Sequence, residues 1–195
     1  MPERVILGVD PGLASAGVGA IAVDGAGRAR ALGWRQATTS PRTPLPDRLA
    51  AIHDLVEGAL REFRPEAMGI EDVFFAKNVK SAVALAHGRA AAILAARRTG
   101  IPVLEFAPRE VKLAVTGRGG ASKEQVKQIA ALLLRLAEPP KSDHESDALA
   151  IALCAAFRLA PGAVRSAAAK PPAGEPEDPR KALLAQMRRG RRRRR

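Results

Sequence analysis

Val5-Ile6-Leu7-Gly8-Val9-Asp10-Pro11-Gly12 is the stretch on which the reading of this chain turns. An apolar run delivers a carboxylate at its end, and Pro11-Gly12 then stops it with a turn. The run reads as a buried strand. An acid placed where a buried strand emerges is costly to bury unless it is paired or binds a metal. Asp10 therefore asks for partners, although Asp-Pro-Gly is also a common turn sequence and, taken alone, leaves Asp10 equally readable as a turn former.

Moving outward, residues 17–23 give a second apolar run, and Asp24-Gly25-Ala26-Gly27 supplies hairpin residues before a third stretch at 29–38. Three consecutive antiparallel strands fit. Three prolines across residues 40–46 read as a connection. Leu49, Ile52, Val56, Leu60 and Phe63 then recur at helical spacing until Arg64-Pro65 ends the pattern. Ala67-Met68-Gly69-Ile70 repeats the opening motif in short form, a strand that ends in acid at Glu71-Asp72.

An alanine-rich helix is predicted over 78–98, apolar on more than one face, with Gly88 able to admit a close neighbour. Such a helix must be covered on two sides. The sheet supplies one cover, and a second copy of the chain can supply the other, which predicts a homodimer through the 78–98 helix. A fifth strand is expected at 102–106 and a short helix after Pro108. Ser122-x-x-Gln125 and Ser142-x-x-Glu145 resemble capping boxes that open two further helices, the last carrying Asp143, His144 and Asp147 ahead of the apolar run 148–157. The expectation is an α/β domain over residues 1–160 with a five-stranded mixed sheet, its first three strands antiparallel, flanked by helices.

The chain has 195 residues, 47% of them hydrophobic, enough for one good-sized core. Its net charge of +12 makes a polyanion the first partner to consider. Residues 165–195 hold 11 Lys or Arg against 3 acids, a net of +8, which leaves only +4 for the rest. Residues 161–195, rich in Pro, Ala and Arg, read as a disordered basic tail. Cys154 is the only cysteine, so no intrachain disulfide forms. No charged and apolar leader opens the sequence, and the most apolar long segment, about 79–96, contains Lys80, His87 and Arg89, a poor membrane span. A cytoplasmic protein without membrane association is the expectation.

Asp10 and Glu71 end two strands, and His144 and Asp147, three apart, share one helix face. If all four converge they form an oxygen-rich site suited to Mg²⁺ or Mn²⁺. Two such ions, roughly 3.5–4 Å apart, would clamp the attacking and leaving oxygens of an in-line phosphoryl transfer. Taken singly, Glu71 reads as well as a solvated strand end, His144 as a capping histidine, and Asp143 and Glu145 as first-turn acids favoured by the helix dipole.

Together and in this order, the blocks Ile6–Gly12, Ile70–Asn78 (Ile-Glu-Asp-Val-Phe-Phe-Ala-Lys-Asn) and Asp147–Ala152 resemble the RuvC-type crossover junction endodeoxyribonucleases, over roughly residues 4–158. The resemblance implies a ribonuclease H-like fold, a homodimer, and Mg²⁺-dependent paired nicking of opposed strands of a four-way (Holliday) junction in recombination and repair. It carries Asp10, Glu71 and Asp147 over as catalytic acids that bind metal, and places the fourth member of the set on His144, with Asp143 as the neighbouring choice. A histidine there lowers the site's negative charge by one and makes Mn²⁺ an alternative to Mg²⁺; ligand and acid–base roles both stay open for it.

The resemblance also assigns DNA contacts. Phe74 could stack on an unpaired junction base, with core packing as the plainer reading. Lys112 and Lys123 match lysines near the scissile phosphate, where surface solvation is the plainer reading. Association with a junction branch-migration complex is implied as well. Competing classes are a sugar kinase or actin-like ATPase, which needs a second lobe, another ribonuclease H-like nuclease acting on RNA or hybrids, and a non-catalytic junction-binding DNA protein. The last gives no reason for acids to end two strands.

Overall fold

The computed structural model describes residues 3–72 and 79–159. Its elements follow in the order β1 (Arg4–Asp10), β2 (Ser15–Val23), β3 (Ala29–Thr38), α1 (Leu45–Phe63), β4 (Ala67–Glu71), α2 (Val79–Thr99), β5 (Val103–Phe106), α3 (Pro108–Thr116), α4 (Lys123–Leu133) and α5 (Asp143–Leu159). The five strands form one sheet ordered β3-β2-β1-β4-β5. Strands β1, β2 and β3 pair antiparallel, whereas β4 lies parallel to β1 and β5 parallel to β4. The mixed sheet expected from the sequence is therefore present. No helix among the described residues is long and apolar enough to cross a membrane.

Side chains leave the sheet alternately, and the two faces build separate cores. Ile6, Ile21, Ala67 and Phe106 pack with α3, α4 and α5. Leu7, Val9, Val18, Ala20, Met68 and Ile70 pack with α1 and α2. Helix α5 is buried along almost its whole length because the sheet covers one side and α3 and α4 the other. At the outer edge, β3 has only half-buried and exposed positions and carries ion pairs Arg30–Glu3 and Arg35–Glu62, which discourage pairing with another edge.

Glycines on the α5 face bring helix and sheet into backbone contact. A Cβ added at Gly8 would stand 2.0 Å from the Ala148 carbonyl oxygen, and one at Gly17 would stand 2.2 Å from that of His144. Only a residue without a side chain lets the first turns of α5 settle this close to β1 and β2. Ser142 ties the same end of the helix to β3, its hydroxyl donating to Gln36 Oε1 at 2.5 Å. The Ser122 capping box forms as expected, with Ser122 Oγ accepting from the Gln125 amide and Gln125 Oε1 from the Ser122 amide. Helix α4 ends at Leu133, and Arg135 turns left-handed at φ 57° just beyond it.

Candidate active site

Parallel pairing sets the first two acids side by side. The β1–β4 register ends at Val9↔Ile70, and Asp10 and Glu71 each follow by one residue. Both lie two residues beyond a glycine that faces α5, Gly8 and Gly69, so alternation sends both carboxylates toward that helix. Asp10 is 8% exposed. Its Oδ2 lies 2.6 Å from His144 Nδ1. Asp147, one turn further along α5, is met by Lys123 Nζ at 3.2 Å from the first residue of α4.

Glu71, Lys112, Lys123 and Asp147 line a cavity of about 90 Å³ whose floor includes Val111 and Ile151. Six of the seven predicted site residues are thus described: four line this cavity, and Asp10 and His144 pair with each other. Phe74 lies outside the described residues. Asp143, the neighbouring choice for the fourth position, pairs instead with Lys127 at 3.3 Å. His144 is the residue that turns to Asp10.

Burial and mutual repulsion dominate the electrostatics of these acids. Burial, with repulsion from Asp10 and Asp147, pushes the Glu71 carboxyl up to about 7. Burial also raises Asp147, against the opposing pull of Lys123. His144 is raised, chiefly by its hydrogen bond to Asp10, and Lys123 is raised, chiefly by Asp147. Three carboxylates and an imidazole delivered from β1, β4 and α5 form a donor set that fits a hard or borderline divalent cation. Among the described residues, the one trio of such donors drawn within 4.8 Å of one another is elsewhere: His53, Asp54 and Glu57 along α1. Asp10, Glu71, His144 and Asp147 do not meet that spacing.

The raised groups give a pH dependence with a definite sign. Glu71, Asp147 and His144 all hold protons more tightly in the folded chain than at their ordinary values, so the folded state binds more protons than the unfolded one. Their contribution to the stability of the metal-free protein therefore falls as pH rises, for Glu71 across the window from 4.5 to about 7. Thermal melts of EDTA-treated protein should drop more steeply with pH through that window for the wild type than for Glu71→Gln. Parallel curves would remove Glu71 from this account.

Sequence reasoning missed one contributor. Arg89 of α2 donates from Nε to the main-chain oxygen of Glu71 at 3.2 Å. Its only sequence signal was a charge beside Gly88 in the middle of an alanine-rich helix. Lys123, expected as a phosphate contact, is here also the ion-pair partner of Asp147.

A mixed sheet with acids at the ends of two adjacent parallel strands, closed by a helix that presents a histidine and an aspartate, is a ribonuclease H-like arrangement. The family model described as "Crossover junction endodeoxyribonuclease RuvC" matches residues 6–155. Proteins of that name from Brevibacillus brevis and Ruminiclostridium cellulolyticum are 43% and 40% identical to this chain. The match to the first covers 76% of this chain and 89% of the relative, and to the second 77% and 90%. The chain belongs to the crossover junction endodeoxyribonuclease RuvC family. Among solved structures, Thermus thermophilus RuvC in complex with a Holliday junction substrate superposes with a TM-score of 0.75 at 37% identity, covering 82% of this chain and 98% of that one. The yeast mitochondrial Holliday junction resolvase Ydc2 shares the fold, with a TM-score of 0.56 at 13% identity, covering 80% and 78%.

Proposed function

We propose that the protein resolves four-way DNA junctions by paired, divalent-cation-dependent nicks in opposed strands, with Asp10, Glu71, Asp147 and His144 as the catalytic and metal-holding set. The observation that carries this reading is the convergence of Asp10 and Glu71 from adjacent strands on the His144–Asp147 face of α5, in a chain of this family. Bound Mg²⁺ or Mn²⁺ ions would offset the charge of the acids and of the attacking and leaving oxygens of a phosphodiester. Lys112 and Lys123 flank the cavity, where their ammonium groups would hold the substrate phosphate, while Asp147, now paired with Lys123, would help hold a cation. The hydrogen bond from His144 Nδ1 to Asp10 leaves Nε2 as the nitrogen that takes a proton or a cation.

Paired nicking needs two sites on one junction, and α2 offers the surface for a second copy. Its inner side packs through Ala91, Ala92, Ala95 and Ala96, whereas Val83 and Leu94 stand 48% and 62% exposed on the outer side. A homodimer through α2 would cover them. Residues 161–195 add salt-sensitive, sequence-independent affinity for DNA in this reading, and family membership is the support for a branch-migration complex as partner and for a cytoplasmic setting.

The test is a four-way junction labelled on each strand, incubated with the protein and Mg²⁺ or Mn²⁺, beside a linear duplex of the same sequence. Symmetric nicks in opposed strands of the junction are expected, from a species of twice the 20.6 kDa chain mass in sedimentation. Equal cutting of the linear duplex would sink the reading.

A further inference from the structure

Helix α2 carries one arginine whose side chain turns inward. Arg89 is 16% exposed, and its guanidinium reaches two strand ends at once. Nε donates to the main-chain oxygen of Glu71 at 3.2 Å, and Nη2 lies 3.7 Å from Asp72 Oδ1 while pairing with the Glu105 carboxylate. The residue before it, Gly88, is seated on the other acid-bearing strand end, where a Cβ would stand 2.1 Å from the Pro11 carbonyl oxygen. Two consecutive residues of one helix thus touch the backbone that presents both Asp10 and Glu71.

The contact falls where the sheet runs out. The β4–β5 ladder ends at Glu71↔Phe106, and Glu71 is the last residue of its strand. An arginine that only neutralised Asp72 and Glu105 would have no need of the Glu71 carbonyl. Arg89 instead binds the peptide of the residue whose side chain faces the cavity. Strand β5 is held from the opposite face too, since Arg158 of α5 donates to the Glu105 carbonyl oxygen at 3.2 Å.

We propose that Arg89 is a positioning residue: through the Glu71 main chain it fixes the carboxylate that would hold the divalent cation. The proposal rests on the nuclease reading above. The planar fork of arginine serves the acceptors of Glu71, Asp72 and Glu105 together; a lysine ammonium keeps the charge and loses that geometry.

The experiment measures Mn²⁺ binding to the full chain without DNA, by calorimetry and by the electron paramagnetic resonance of free Mn²⁺. Arg89→Met should weaken Mn²⁺ binding by about 10-fold, as loss of a residue that orients a ligand does. Junction affinity without metal should stay at the wild-type level, and the cleavage rate should recover as Mn²⁺ is raised. Arg89→Lys should fall between the two. Wild-type Mn²⁺ affinity in folded Arg89→Met, or in Arg89→Lys if the Met variant does not fold, overturns the proposal. A wild-type chain that binds Mn²⁺ yet leaves junctions uncut counts against the nuclease reading and not against Arg89. One that binds no Mn²⁺ overturns both.

Discussion

Asp10→Asn should reduce junction cutting by about 10³-fold, the rate equivalent of roughly 4 kcal/mol of lost charge stabilisation, while junction binding is retained. The substitution keeps the shape of the side chain and removes one negative charge at its most enclosed position, beside His144. It also removes the repulsion that Asp10 exerts on Glu71, so the Glu71 carboxyl should titrate lower than in the wild type. The lysines proposed to meet DNA keep their places, since Lys123 pairs with Asp147 and Lys112 lies across the cavity. Gel-shift titration without metal, run beside the cleavage assay, separates the two effects. Undiminished cutting would remove Asp10 from the active site, and lost binding would mean that the aspartate is structural.

Gly8→Ala is the second large effect. Its new Cβ meets the Ala148 carbonyl oxygen at 2.0 Å and the Ala152 amide nitrogen at 2.5 Å, both main-chain atoms of a buried helix that cannot swing aside as a side chain would. Overpacking of this kind destabilises by about 3 kcal/mol, or about 10 °C in melting temperature for a domain of this size. Helix α5 must retreat, and it carries His144 and Asp147 with it. A displacement near 1 Å at reacting groups lowers a rate by about 10²-fold, so the surviving folded protein should cut poorly at temperatures where it is intact. Gly58→Ala is the control, because nothing lies within 4 Å of a Cβ placed there in α1. It should stabilise by about 0.5–1 kcal/mol through helix propensity. A Gly8→Ala protein that melts and cuts like the wild type would dismiss the close seat of α5 as the determinant of site spacing.

The features legible in the sequence were those written locally. Apolar runs ending in acid gave β1 and β4, hairpin residues gave the β2–β3 turn, and helical spacing gave α1. Asp10, Glu71, His144 and Asp147 were each ambiguous alone and became a set only in order and spacing. Contacts between residues far apart in the chain left no such trace. Gly8 and Gly17 read as members of apolar strands, because their purpose is defined by the backbone of α5 more than a hundred positions later. Arg89 read as a charge that spoils a membrane span, because its acceptors lie on strands before and after it. The Ser142 hydroxyl read as a cap, whereas it reaches Gln36 on β3. Pattern shows which face a residue takes, and only the packed topology shows what waits there.

The alternation of the sheet faces carries a last consequence. On β1 the α5 side is occupied by Ile6, Gly8 and Asp10, and on β4 by Ala67, Gly69 and Glu71. Both strands spell the same three-step word: an anchor, a seat for the helix, an acid. The placement of the acids is therefore counted in residues and not adjusted in ångströms. One residue inserted between Gly8 and Asp10 would turn the carboxylate into the apolar layer beneath α1 and α2, with no intermediate position. Along these two strands an insertion or deletion keeps the acids in place only in steps of two.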